Sequence, residues 1–449
     1  MSAPEQQRVP KRIAATILNS LKGGVVPRIG LPYITVGREA EIQALLTDLS
    51  LIAEGGASFR FLVGRYGSGK SFLLQTIRTH AMGVGFVVAD ADLSPERRLQ
   101  GGQGQGLATY RELVRNLSTK TRPEGGALGL VLDRWVALTR SPGSADPGAA
   151  AEAEERDLRE QLAPLEEMVH GFDFARMLRL YRTASLEGDD ALKASALKWF
   201  RGEYRTKSEA RAELGWATAI GDDDWYDYVK LLARFLRQAG YQGLLVLIDE
   251  LVNLYKIPNS VTRQYNYEKI LTMYNDTLQG KARYLGVVMG GTPQSIEDRR
   301  RGVFSYEALR SRLAQGRFAT EGMRDMLAPI IHLHPLTYEE LLVLVEKLQQ
   351  IHAGYFGCAP RLAEGDLVRF LKIEFGRPGA DTHLTPREAI RDFVELLDIG
   401  FQNPDRPVSD ILAAVEAPLP AGPGDGAAAV SVGDPAAGGR RADVDGFRL

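Results

Sequence analysis

Residues 64–71 read "GRYGSGKS", in which Gly64, Gly69, Lys70 and Ser71 follow the spacing G-x-x-x-x-G-K-[ST] and Gly67 adds a further glycine. Glycines let backbone N–H groups turn inward around a phosphate, and the N-terminus of a following helix adds partial positive charge. In that arrangement the Lys70 ammonium reaches the β- and γ-phosphates and the Ser71 hydroxyl serves Mg2+. The spacing therefore predicts contacts with ATP from Gly64, Arg65, Tyr66, Gly67, Ser68, Gly69, Lys70, Ser71 and Phe72. "FRFLV" before the loop has the composition of a buried strand and "FLLQTIR" after it that of a helix, which is the context such a loop needs.

The fate of the phosphate depends on residues further along. In "GLLVLIDE" an apolar run delivers Asp249 at its C-terminal end, where parallel sheets place ligand sites. Asp249 is the expected Mg2+ carboxylate, and Glu250 is the expected base that polarises water for attack on the γ-phosphate. The plainer account of Glu250 is an acid favouring the start of a helix. Two acids here favour hydrolysis over transfer, because a kinase takes its nucleophile from the substrate. "YLGVVMGGTPQS" places Thr292 either as a sensor of the γ-phosphate or as part of a Thr-Pro turn. "EDRRRGVFSYEALRSRLAQGRF" supplies Arg299, Arg300, Arg301, Arg310 and Arg312. An arginine from a neighbouring subunit stabilises the charge that develops in phosphoryl transfer. Arg312, with Arg310 as alternate, is the choice for that role, and a homo-oligomer is expected with it. In "LTPREAIRDF", Arg387 opens a helix from which it reaches across to the nucleotide, or else is a plain surface arginine.

These residues need a scaffold of strands and helices. "FRFLVG", "GFVVADADLS" (a strand ending in acidic residues), "GLLVLIDE", "YLGVVMGG" and "APIIHLHPL" read as buried strands. Helical spacing separates them, so the fold class is α/β, a parallel sheet followed by a helical domain. The expected organisation is an N-terminal helical and extended segment at 1–30 and a nucleotide-binding core at 31–336, interrupted by a helical insertion at about 107–237. A helical lid follows at 337–413, opened by Thr337 and Glu340 at capping-box spacing, and a tail at 414–449. The tail is Ala/Gly/Pro-rich and is expected to be disordered, as is "SPGSADPGAAAEAEE" from 141. The aromatic-rich "DWYDYVKLLARFLRQAGY" is expected to be core.

Lys plus Arg number 55 against 57 Asp plus Glu in 449 residues, so net charge offers no argument for nucleic acid or membranes as partners. Cys358 is the single cysteine, which excludes an internal disulfide and a cysteine-based zinc cluster. The N-terminus lacks the apolar centre of a signal peptide, and the apolar runs are too short to span a bilayer. A cytoplasmic protein is expected.

The assembled set resembles the AAA+ superfamily of P-loop ATPases: "VGREAEI" at 36–42, the phosphate loop (Walker A), "LIDE" (Walker B), "GGTP", the arginine cluster and "TPREAI". Within it the set is similar to the initiator-like branch of origin-recognition ATPases. "VPRIGLPYITVGREAEI", "GYQGLLVLIDELVNLYKI", "NYEKILTMYNDTLQG" and "GGTPQSIEDRRRGVFSYEALRSRL" resemble the ATP-binding proteins of bacterial antiphage clusters of the BREX type, and of related clusters with a TerB-like protein and a helicase. The resemblance implies Lys70 and Ser71 for phosphate and Mg2+, and Asp249 and Glu250 for metal and water activation. It implies Thr292 as first sensor, Arg310 or Arg312 as finger and Arg387 as second sensor. Its implied activity is ATP hydrolysis coupled to conformational change in a defence complex, with helicase or DNA partners. Initiators usually continue into a winged-helix DNA-binding domain, and here a low-complexity tail follows, so direct DNA contact stays open. The insertion at 107–237 is no standard AAA+ part. Two other functions compete: a nucleotide-dependent switch or scaffold with slow turnover, and a small-molecule kinase.

Overall fold

Five apolar runs become strands: β1 (Ala57–Val63), β2 (Val87–Asp92), β3 (Leu244–Asp249), β4 (Leu285–Gly291) and β5 (Ile330–His332). In this computed structural model, which describes residues 9–140, 147–314, 316, 324–376 and 385–416, they form one parallel sheet in the order β2-β3-β4-β1-β5. A parallel sheet is covered on both faces, which is why its strands read as continuous apolar runs rather than alternating ones. Alternate residues still separate the two faces. Phe59, Phe61 and Val63 of β1 point into one core, and Leu62 points into the other.

The chain enters through α1 (Lys11–Lys22) and α2 (Leu31–Ile34), then α3 (Glu39–Ala53), and α4 (Lys70–Gly83) follows the phosphate loop. Helices α3 and α4 cover the face carrying Leu62, Val88, Leu245, Leu247 and Val288. Between β2 and β3 stand seven helices: α5 (Gln105–Arg115), α6 (Leu128–Leu138), α7 (Pro147–Glu166), α8 (Gly171–Glu187), α9 (Asp190–Phe200), α10 (Lys207–Leu214) and α11 (Trp225–Gln238). Their core continues the other face of the sheet, with Trp135, Phe174 and Phe235 packed edge to face at centroid distances of 5.6 and 6.0 Å. The aromatic stretch at 224–241 is core, since Trp225, Tyr226, Tyr228 and Phe235 are all buried. One expectation is corrected: "PGAAAEAEE" from Pro147 is not a loop but the first half of α7. Its alanines and glutamates are strong helix formers, and proline is tolerated in a first turn. Residues 141–146 lie outside the described ones.

After β3 come α12 (Val252–Tyr255), α13 (Ser260–Leu278), α14 (Pro293–Glu297) behind β4, and α15 (Glu307–Leu313). The C-terminal helices are α16 (Tyr338–Phe356), α17 (Glu364–Gly376), α18 (Pro386–Gln402) and α19 (Val408–Glu416). Thr337 and Glu340 do form a capping box at the start of α16, and Thr385 with Glu388 forms another at α18. The N-terminal helix α1 joins this group: Ala14, Ile17 and Leu18 share a core with Leu344, Leu348, Phe393 and Leu397. The tail expected from 414 begins inside α19, and residues 417–449 lie outside the described ones. Among the described residues, no helix is long and apolar enough to cross a membrane.

Candidate nucleotide-binding site

Because all strands run the same way, their C-terminal ends share one edge, and a cleft opens there between the sheet and the C-terminal helices. The loop after β1 lines it. Gly67 and Gly69 take positive φ, 73° and 95°, a region other L-residues enter only with strain. The loop is tied to the sheet by the Gly64 N–H donating to Gly291 O at 3.1 Å. The Lys70 ammonium donates to the carbonyls of Gly64 and Arg65, both at 2.9 Å, and lies 5.6 Å from the Tyr66 ring centroid. Burial pushes the Lys70 pKa down, Asp249 and Glu250 pull it back up, and Arg387 pushes it down. Lys70 and Arg387 therefore face the same space as like charges, an arrangement that awaits an anion.

Opposite the loop, the Ser71 hydroxyl donates to Asp249 Oδ2 at 3.1 Å, and the Glu250 N–H donates to Asp249 Oδ1 at 2.8 Å. Both oxygens of Asp249 are thereby oriented. Between β1 and β3 lies β4, and its Gly290 has room for the Asp249 carboxylate where any Cβ would collide with it. Glu250 sits at φ 63°, in the left-handed region, at the tip of the strand. Such a conformation costs a glutamate about 1–2 kcal/mol, and it turns the side chain away from the strand's own alternation.

The residues present fit ATP and a magnesium ion. Ser68 is 7% exposed, lines the cleft, and its hydroxyl has no hydrogen-bond partner, as a donor waiting for a phosphate oxygen would. Ser71 and Asp249 are hard oxygen donors side by side. Among the described residues, no three His, Cys, Asp or Glu side chains are grouped to hold a metal by themselves. That matches magnesium, which keeps its waters and takes substrate phosphates. Away from the phosphate loop the cleft is apolar: Val25, Val26, Ile34 and Val36 from the N-terminal strap face Leu336, Leu344 and Ile390. A flat purine suits that wall.

Most of the expected residues come together here. Tyr66, Gly67, Ser68, Gly69, Lys70, Ser71, Phe72, Asp249, Glu250 and Arg387 all line the cleft, and Gly64 and Arg65 complete its loop. Three others stand apart. Thr292 is buried as the N-cap of α14, where its hydroxyl oxygen accepts the Ser295 N–H at 3.2 Å. Arg310 pairs with Glu307 at 3.2 Å on α15, and Arg312 donates to Ala308 O of the same helix at 2.7 Å. Neither arginine lines this chain's own cleft.

A family model matches residues 9–416, and its description is the BREX system ATP-binding protein BrxC/D. The chain belongs to this family. No curated protein matches it. For a BREX system ATP-binding protein, the cleft holds residues that motif spacing did not single out. Arg38, in "VGREAEI", is buried and donates through one Nη to Ser68 O (3.0 Å) and His334 O (2.9 Å). It joins the phosphate loop to the segment leading into α16. Glu41 balances it at 3.7 Å and also takes Arg324 at 2.5 Å. Thr385 packs against Gly67, so the start of α18 touches the loop tip. Asp92 ends β2 level with Asp249. Its outer side reaches solvent, yet burial of the rest, then Asp249 and Glu250, raises its pKa above the ordinary carboxylate value. The "GRE" spacing was the available signal for Arg38; Asp92 and Thr385 had none beyond being polar at the end of an element.

Proposed function

We propose that this BREX-family protein is an AAA+-type ATPase, in which hydrolysis drives the C-terminal helices, acting as a lid, against the sheet. The observation that carries this reading is the meeting, in one cleft, of Lys70 and Ser71, the Asp249–Glu250 pair and Arg387 from the first turn of α18. The strand order, with β4 between the loop strand and the acid strand, and the capping of the cleft by C-terminal helices support the superfamily assignment. The initiator-like character rests on the "VGREAEI" box, whose Arg38 braces the loop.

In the proposed reaction the loop N–H groups, Lys70 and Ser68 bind and orient the triphosphate of ATP, and the apolar strap excludes water from the base. Magnesium, held by Ser71 and Asp249, supplies charge neutralisation of the phosphates. Glu250 takes a proton from the attacking water at its carboxylate. Arg387 follows the γ-phosphate from the lid, and Arg312, or Arg310, reaches a neighbouring subunit's cleft in a homo-oligomer. Thr292 would act as first sensor through its backbone position and hydroxyl hydrogen, its acceptor being engaged in the helix cap. The recipients of the motion are other proteins of the BREX antiphage complex, a helicase or DNA-bound factor being the proposed class.

The engagement of Thr292 favours a second reading, a nucleotide-dependent switch with slow turnover. A single-turnover assay of the intact protein with labelled ATP and Mg2+, alone and with its complex, separates the two. Phosphate release on the timescale of seconds supports the motor, and tight binding with no release under any condition leaves the switch.

A further inference from the structure

Asp92 belongs to β2, two strands away from the phosphate loop, and none of the roles above uses it. Its register partner is Asp249, and register-matched residues on adjacent strands share one face of a sheet. That face lies under α4, because Val88 of β2 and Leu247 of β3 both pack into the core α4 covers. Asp92 and Asp249 therefore project to the same side, at the end of the sheet where α4 starts with Lys70 and Ser71. The placement is fixed by the backbone: Leu93 N–H donates to Asp249 O at 3.1 Å, and Asn253 Nδ2 donates to Leu93 O at 2.8 Å.

An ordinary structural carboxylate would have a cation. Asp90, two residues back on the same face, has one in Arg78 at 3.1 Å. For Asp92 the nearby arginine, Arg97, directs its Nε to the Asp92 backbone carbonyl (3.0 Å) instead of the carboxylate. Like charges across adjacent strands repel, so an acid level with Asp249 and beside Glu250 is unfavourable until a cation arrives. The unpartnered Ser68 hydroxyl points independently to an anionic ligand in the same cleft.

We infer that Asp92 is a positioning residue for the divalent cation that enters with ATP. It acts through the ion's water and through its field, and makes nucleotide affinity conditional on the metal. Three carboxylates repel a bare triphosphate, and the metal-bearing one is accepted. This inference rests on the nucleotide-site reading given above.

The test is the affinity of the full-length protein for ATP, measured by calorimetry in Mg2+ and again in excess chelator, for wild type, Asp92→Asn and Asp92→Ser. The ratio of the two affinities is the readout. Both variants should bind bare ATP more tightly and metal-ATP more weakly, lowering the ratio on the order of tenfold. Mn2+ titrations followed by its paramagnetic resonance signal should show the weaker ion binding directly. A ratio equal to the wild type's, or affinities that fall together in both conditions, overturns the inference. Failure of the nucleotide-site reading looks different: folded wild-type protein would bind ATP under neither condition.

Discussion

At the scale of single residues, Asp249 and Glu250 are neighbours in sequence with different surroundings. Asp249 has both oxygens held, by Ser71 and by the Glu250 N–H, whereas Glu250 owes its direction to a left-handed backbone. The glutamine variant Glu250→Gln should keep ATP binding and lose roughly 10²–10⁴-fold in hydrolysis, as removal of a general base does. The backbone strain has its own signature. Glu250→Gly should melt higher than Glu250→Ala, by the equivalent of about 1 kcal/mol, with both equally inactive. Gly290→Ala is a second residue-scale test. Its methyl group meets the Asp249 carboxylate, so the variant should lose Mg2+-dependent ATP affinity while its overall fold, followed by circular dichroism, persists.

Elements set the cleft's other wall. α1 comes first in the chain and packs on α16 and α18, which come last, so the strap between α1 and α3 is stretched across the mouth of the site. His352 of α16 lies in this joint, 4% exposed, 3.2 Å from Asp398, whose other oxygen holds Lys22 of α1 at 2.5 Å. Burial lowers the His352 pKa below its ordinary value of 6.5, and Asp398 only partly opposes this. The folded state then binds fewer protons here than the unfolded one, so this group's contribution falls as pH drops through and below 6.5. The melting temperature should decline between pH 7.5 and 5.5, and His352→Gln should lose part of that decline. Phe393, fully buried between these helices, is the strongest packing test: Phe393→Ala should cost about 3–5 kcal/mol.

For the whole molecule, the exposed arginines of α15 need a second chain. Arg312→Ala should lower turnover by about 10³-fold or more if it completes a neighbour's site. Mixing it with Lys70→Ala then decides the geometry. Each variant alone is inactive, and the mixture regains activity because intact Lys70 clefts meet intact Arg312 neighbours. A mixture that stays inactive places the arginine's action within its own chain. The insertion, α5–α11, enlarges the core on the sheet face opposite α4 and leaves the cleft lining unchanged.

The sequence by itself determined what contiguous residues can encode. "GRYGSGKS" between a strand and a helix, "LIDE" at a strand end and "TPREAI" at a helix start each carry their chemistry in local spacing, and the apolar runs became the sheet's five strands. Where propensity and composition pointed apart, as in "PGAAAEAEE", the helix propensity of alanine and glutamate prevailed. Tertiary structure alone decided which distant residues became neighbours. Asp92 stands level with Asp249, Gly290 makes room for that acid, Arg38 bridges Ser68 to His334, and the strap from the N-terminal helix walls the base. Strand order and register set those pairings. They follow from packing the whole core at once, and no local spacing carries them.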